Sequence, residues 1–165
     1  MEKTMTATVS IIIGSDSDMN LAKKCSETLD SLSIDNSINV YSAHRSPELV
    51  AEHLKACEEG GTKVFIAMAG LAAHLAGAVA SKTVKPVIGV PGDGGPLQGF
   101  DSLLSTVQMP KGVPVATVAI GSAGAVNSAI LAAQMISLSS PEVEQSLKKT
   151  REDSVKSIEQ INKDL

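Results

Sequence analysis

The chain predicts an α/β fold: a doubly wound, five-stranded parallel sheet, a flavodoxin-like three-layer sandwich with an extra C-terminal helix. Short β-branched apolar runs alternate with helix-period segments from about residue 8 to residue 138. Those runs read as apolar on both faces, which suits strands covered by helices on either side. Neither a repeat nor a linker interrupts the alternation, so residues 1–165 read as one domain, with a core at about 8–138 and a tail helix at about 141–163.

The elements follow in order. Thr8 to Ile13 reads as a buried strand ending at Gly14, and Asp18 as the cap of a helix with its apolar stripe at Leu21, Ala22, Cys25, Leu29 and Leu32. Ser37 to Tyr41 reads as a second buried strand. Ser46 is placed to cap a helix with Pro47 at its first position, which runs to Gly60-Gly61. Val64 to Met68 is the third strand, and Ala72 to Ser81 a helix of small residues. Pro86 to Val90 is the fourth, followed by the loop Pro91 to Pro96 and a helix from about Asp101 to Val107. Pro114 to Ile120 is the fifth, and an alanine-rich helix spans about Ala123 to Leu138. The number of strands suits a flavodoxin-type order. Pro141 to Leu165 is helical and highly charged, with a broken stripe at Val143, Leu147, Val155, Ile158 and Ile161; it suits a solvated helix on its own domain or one packed on another subunit.

Composition narrows the function. Of 165 residues 43% are hydrophobic, yet only Tyr41, Phe65 and Phe100 are aromatic; nineteen alanines and 13 glycines imply close packing of helices on sheet or on neighbouring subunits. A formal charge of -4 gives no basic footprint for nucleic acid. Cys25 and Cys57 form no CxxC, which fits a reducing interior. Met1 to Ala7 carries no apolar stretch of signal length, and no run reaches the about 18 apolar residues of a membrane span. The expectation is a cytoplasmic protein with no membrane partner.

Two segments stand where parallel sheets place ligands, just past strand ends: Ser42-Ala43-His44-Arg45-Ser46-Pro47-Glu48 and Ala69-Gly70-Leu71-Ala72-Ala73-His74-Leu75. His44 beside Arg45 sets a titratable imidazole next to a permanent cation, a pairing suited to chemistry on a phosphorylated small molecule. Gly14-Ser15-Asp16-Ser17-Asp18 opens a helix and offers hydroxyl and backbone donors to an anion, or a polar turn and a cap; it has neither GxGxxG nor a P-loop ending. The loop before His74 has no side chain larger than leucine, so a flat ligand could lie against its backbone. His53 and Cys57 lie four apart on a helix, but lack the further ligands of a closed zinc site and read as surface-helix residues. Gly121-Ser122-Ala123-Gly124-Ala125 lacks the GxSxG of a hydrolase elbow and reads as a tight turn before a closely packed helix, with a secondary chance of helping a neighbouring site.

Together, Gly14 to Asp18, Ser42 to Arg45 and Ala69 to Leu75 closely resemble the three active-site segments of the PurE family. Gly89-Val90-Pro91, Gly99 to Ser105, Gln108-Met109-Pro110 and Gly112 to Thr117 extend the match in the family's order, over about Val9 to Leu138. The resemblance implies a 5-(carboxyamino)imidazole ribonucleotide mutase of de novo purine biosynthesis, acting on a small ribonucleotide with no metal or organic cofactor. It implies His44 as general acid/base; Ser15, Ser17, Ser42 and Arg45 at the phosphate; Asp18 at the ribose; and Gly70, Leu71 and His74 around the imidazole and its migrating carboxylate, with Ala43 inside the matched segment. It also implies a homo-octamer whose Gln-Met-Pro segment approaches a neighbour's site. Two residues depart from the pattern: Leu71 stands where many members carry a second glycine, and Ala76 where they usually carry proline.

A sister class of the family carboxylates aminoimidazole ribonucleotide directly with carbon dioxide, and typically has lysine after the active-site histidine and no Ala-Ala-His loop. Arg45 and His74 align this chain with the mutases. A non-enzymatic flavodoxin-like module is the alternative of another kind. Three aromatics are a thin supply for stacking a flavin, and the strand ends lack the clustered carboxylates and lysine of a signalling receiver.

Overall fold

The computed structural model describes residues 7–165, so the reading of the first six residues as no signal segment lies outside it. Five parallel strands form one sheet in the order β2-β1-β3-β4-β5. They are β1 (Val9–Ile13), β2 (Asn36–Val40), β3 (Val64–Ala69), β4 (Val87–Pro91) and β5 (Ala116–Thr117). The helices are α1 (Met19–Ser31), α2 (Pro47–Gly60), α3 (Leu75–Ala80), α4 (Phe100–Val107), α5 (Gly121–Ser137) and α6 (Pro141–Asp164). This is the doubly wound architecture expected, with its order reversing beside β1, where such sheets open a crevice.

Strand alternation divides the core in two. Val9, Ile11, Ile13, Val64, Ile66, Met68, Ile88 and Val90 face α1 and α5, where Ala22, Cys25 and Leu29 meet Ala125, Ala129, Ala132 and Ala133. Ile12, Phe65, Ala67 and Val87 face α2 and α3 through Val50, Leu54, Leu75 and Val79. The alanines of α5 let it approach α1 closely, so burial is shared among many small groups rather than a few aromatics. Gly89 serves the same end: a Cβ there would stand 2.4 Å from Thr106 Cγ2 of α4 and 2.8 Å from Val115 Cγ1.

Several local expectations are corrected. The second strand is not buried: β2 is an edge, and its residues Asn36, Ser37, Ile38 and Asn39 are half-buried because it has a neighbouring strand, β1, on one side only. The fifth strand shrinks to Ala116–Thr117, paired to Ile88 and Gly89, since it too is an edge and begins beside Pro114. The small-residue helix starts only at Leu75 because Ala73 N–H goes to Ser105 Oγ (2.9 Å) instead of continuing a helix. Asp18 stands at the start of α1 but makes no capping bond; a 3-10 turn over Asp16–Asp18 intervenes, and Ser15 Oγ accepts from Ser17 N (3.4 Å). Ser46 precedes Pro47 as expected, but its hydroxyl turns back to Ser42, donating to the Ser42 carbonyl and accepting from Ser42 N, each at 3.1 Å.

His53 is not a surface histidine either. It is half-buried, with Nε2 2.9 Å from Ser10 Oγ and 3.4 Å from Cys57 Sγ, and its ring lies 4.8 Å from that of Tyr41. Burial lowers its pKa. The proximal half of α6 rests Val143 and Leu147 on the core, whereas Val155, Ile158 and Ile161 are more than half exposed. Among the described residues no helix is long and apolar enough to cross a membrane.

Candidate active site

The carboxyl ends of β1, β2, β3 and β4 open into a cavity of about 880 Å³. All ten residues singled out in the sequence line it: Ser15, Ser17, Asp18, Ser42, Ala43, His44, Arg45, Gly70, Leu71 and His74. The reason is topological. Parallel strands end on one edge, so loops 30 residues apart in sequence become neighbours.

His44 and His74 meet directly. His44 Nε2 lies 2.7 Å from His74 Nδ1, with the rings at 88° and centroids 4.9 Å apart. One nitrogen donates and the other accepts, so the contact holds a single proton. Both side chains are exposed on the cavity.

The Ser42–Ser46 turn aims Arg45. Ser42 Oγ accepts from Arg45 N (3.2 Å), and Arg45 Nη2 donates to the Gly14 carbonyl (2.8 Å), which ties the β2–α2 loop to the β1–α1 loop. One of the five guanidinium donors is thus spent on positioning and the remainder of the cation serves the cavity. Beside it, Ser15 Oγ donates to Asp16 Oδ1 (3.0 Å). Burial raises the Asp18 pKa; a hydrogen bond from the Ser15 backbone opposes this, and the Asp16 charge reinforces it.

The opposite wall is made of backbone. Gly92 N donates to Ala69 O (2.8 Å), and a Cβ on Gly92 would come within 3.1 Å of Gly70 Cα, so the β3–α3 and β4–α4 loops lie almost in contact. Ser102 Oγ, fully buried, donates to Gly92 O (2.6 Å) and holds that loop from α4. Leu71 has φ +54, the left-handed region that a leucine occupies only at a cost of roughly 1–2 kcal/mol. Ala76, the other departure from the family pattern, is buried within α3 and makes part of the second core.

The cavity also holds residues the sequence did not single out: Asn20, Leu21, Lys24, Asp93, Gly94 and Gly95. Lys24 Nζ donates to Ser122 Oγ (2.7 Å), joining α1 to the first turn of α5 and bringing a second basic side chain to the cavity. Nothing local marks Lys24, which lies within an ordinary amphipathic helix. The Asp93 loop could have been found from its place after β4, and Ser122 was read only as a secondary candidate. Gln108, Met109 and Pro110 are not part of their own chain's cavity. No group of three or more His, Cys, Asp or Glu among the described residues is arranged to hold a metal.

A doubly wound sheet with paired imidazoles, an anchored arginine and serine-rich turns at its carboxyl edge is the arrangement of an α/β enzyme with a small-molecule cavity. Residues 8–157 match the family model described as AIR carboxylase, and the chain belongs to that family. It is 50% identical to the N5-carboxyaminoimidazole ribonucleotide mutase of Pyrococcus abyssi over 145 residues, 88% of this chain and 82% of that protein. The enzyme of the same name from Bacillus subtilis is 48% identical over 91% of this chain and 93% of its own. The crystal structure of Treponema denticola PurE superposes with a TM-score of 0.87 at 32% identity, covering 95% of this chain and 97% of that one.

Proposed function

We propose that the chain is a 5-(carboxyamino)imidazole ribonucleotide mutase of purine biosynthesis, moving a carboxylate from the exocyclic amine of its substrate to the adjacent ring carbon. The observation that carries this is the His44–His74 contact, set in a cavity that Arg45 shares. The curated relatives at about half identity bear the mutase name.

The nucleotide phosphate sits among Ser15, Ser17, Ser42 and Arg45, where hydroxyl donors and a guanidinium converge, and Asp18 accepts from the ribose hydroxyls. The imidazole lies along Gly70 and Leu71, with Ala43 leaving room on the facing loop. The bond from the exocyclic nitrogen to the carboxyl carbon breaks, its electron pair stays on nitrogen, and carbon dioxide is released inside the cavity. The ring carbon then attacks carbon dioxide, and His44 removes that carbon's proton to restore aromaticity and returns a proton to the exocyclic nitrogen, which becomes the free amine of the product. Retention of carbon dioxide beside its acceptor makes the recapture effectively intramolecular. Neither a metal nor an organic cofactor enters this course. The chain works in the cytoplasm as a homo-octamer, and the exposed Phe100, Leu104 and Val107 of α4 together with the distal stripe of α6 supply apolar surface for its contacts.

Labelled bicarbonate tests the reading. With unlabelled carboxyamino nucleotide, early product should carry little label. Efficient conversion of aminoimidazole ribonucleotide at modest bicarbonate, with full incorporation, would make the chain a direct carboxylase instead.

A further inference from the structure

We propose that Leu71 is the retention residue of this site: its side chain bridges the two backbone walls of the cavity and keeps released carbon dioxide from escaping before the ring carbon captures it, an inference that rests on the mutase reading. Leu71 is held at φ +54, a conformation disfavoured for a branched side chain, yet it is 55% exposed and belongs to neither core. Folding therefore gives no reason for a leucine here, and strain at a cavity wall points to function.

The neighbouring loop is shaped to receive it. A Cβ on Gly95 would stand 2.4 Å from Leu71 Cδ2, so the leucine lies where any other residue at 95 would put its side chain. Beneath it, Gly92 and Gly70 touch backbone to backbone. The isobutyl group thus spans from the β3–α3 loop to the β4–α4 loop, three residues from His74 and on the cavity that His44 shares. Carbon dioxide carries no net charge and accepts hydrogen bonds only weakly, so hydroxyls and ammonium groups hold it poorly; an apolar wall that displaces water contains it. The glycine that many members of the family carry at this place has no side chain to span the gap; in this chain the leucine spans it. Escape leaves the electron pair on the exocyclic nitrogen, which takes a proton from water, and yields free aminoimidazole ribonucleotide instead of the carboxylate product.

Leu71→Gly and Leu71→Ala test this. Each variant and the parent receive the carboxyamino nucleotide, and free amine is measured against carboxylated product, corrected with an enzyme-free control. The expected result is at least a fivefold rise in the free-amine share for Leu71→Gly, an intermediate rise for Leu71→Ala, and a melting temperature for Leu71→Gly no lower than the parent's, because glycine relieves the left-handed backbone. An unchanged share in both variants overturns the proposal. So does a fall in oligomer mass by light scattering, which would make Leu71 a subunit contact. A parent protein that forms no product from the carboxyamino nucleotide defeats the mutase reading itself, a result distinct from either.

Discussion

His44 Nε2 and His74 Nδ1 share one proton across 2.7 Å, although 30 residues separate them in the chain. The contact fixes the edge that His44 presents to the cavity and occupies its Nε2. In the proposed mechanism, substrate entry exchanges this imidazole–imidazole bond for one to the reacting molecule.

His44→Asn should lower kcat by roughly two to four orders of magnitude, about 3 to 5 kcal/mol, with product affinity nearly kept. His74→Asn should cost about one order, the worth of one net hydrogen bond at ~0.5–1.5 kcal/mol. Steady-state kinetics of both single variants and the double variant check this; the two losses should not add, because the residues touch. Near-normal turnover by His44→Asn would remove it from the mechanism.

Arg45→Ala removes both the cation and the tether to the Gly14 carbonyl. A charge-assisted hydrogen bond of about 1.5–3 kcal/mol predicts a Kd for the nucleotide product raised by roughly 10- to 100-fold. The unphosphorylated nucleoside should bind the parent and the variant with similar weak affinity. If the parent binds nucleoside as tightly as nucleotide, the phosphate is not held at Arg45.

His53 gives a pH signature of folding. Its folded pKa lies below the ordinary 6.5 because burial disfavours the imidazolium. The neutral ring therefore contributes stability that is present above pH 6.5 and lost as pH falls through the lower folded value. Urea midpoints should drop between pH 7.5 and pH 5 in the parent, and the drop should be smaller in His53→Gln. Equal slopes would show that the ring is not linked to folding.

Removing residues 151–165 takes away the exposed Val155, Ile158 and Ile161 and leaves Val143 and Leu147 on the core. Light scattering should show weaker assembly, while the melting temperature of the core changes little. An octamer that survives this truncation intact would place its contacts elsewhere, on α4 above all.

Much of the candidate site was legible in the sequence because its residues sit in short segments directly after strands. Ser15, Gly70 and His74 follow the apolar runs of β1 and β3, Ser42 and Arg45 follow the less buried β2, and all five line the cavity. Lys24 was not legible, because its partner Ser122 lies 98 residues on and only the packing of α5 against α1 brings them together. Ser46 and Asp18 do stand at the N-cap positions of α2 and α1, but their side chains make no capping bond for a related reason: local preference names a residue able to cap, while the Ser42 turn and the Asp16–Asp18 turn offered other geometry.

Periodicity and residue type over a few neighbouring positions suffice for the alternation of strands and helices, the parallel sheet and the segments at the strand ends. Which strands are edges, that His53 is held between Ser10 and Cys57, that His44 and His74 meet through a hydrogen bond, and that Leu71 lies over Gly95 emerge from packing alone. Each of these depends on distances between residues far apart in the chain, which no local pattern of side chains encodes.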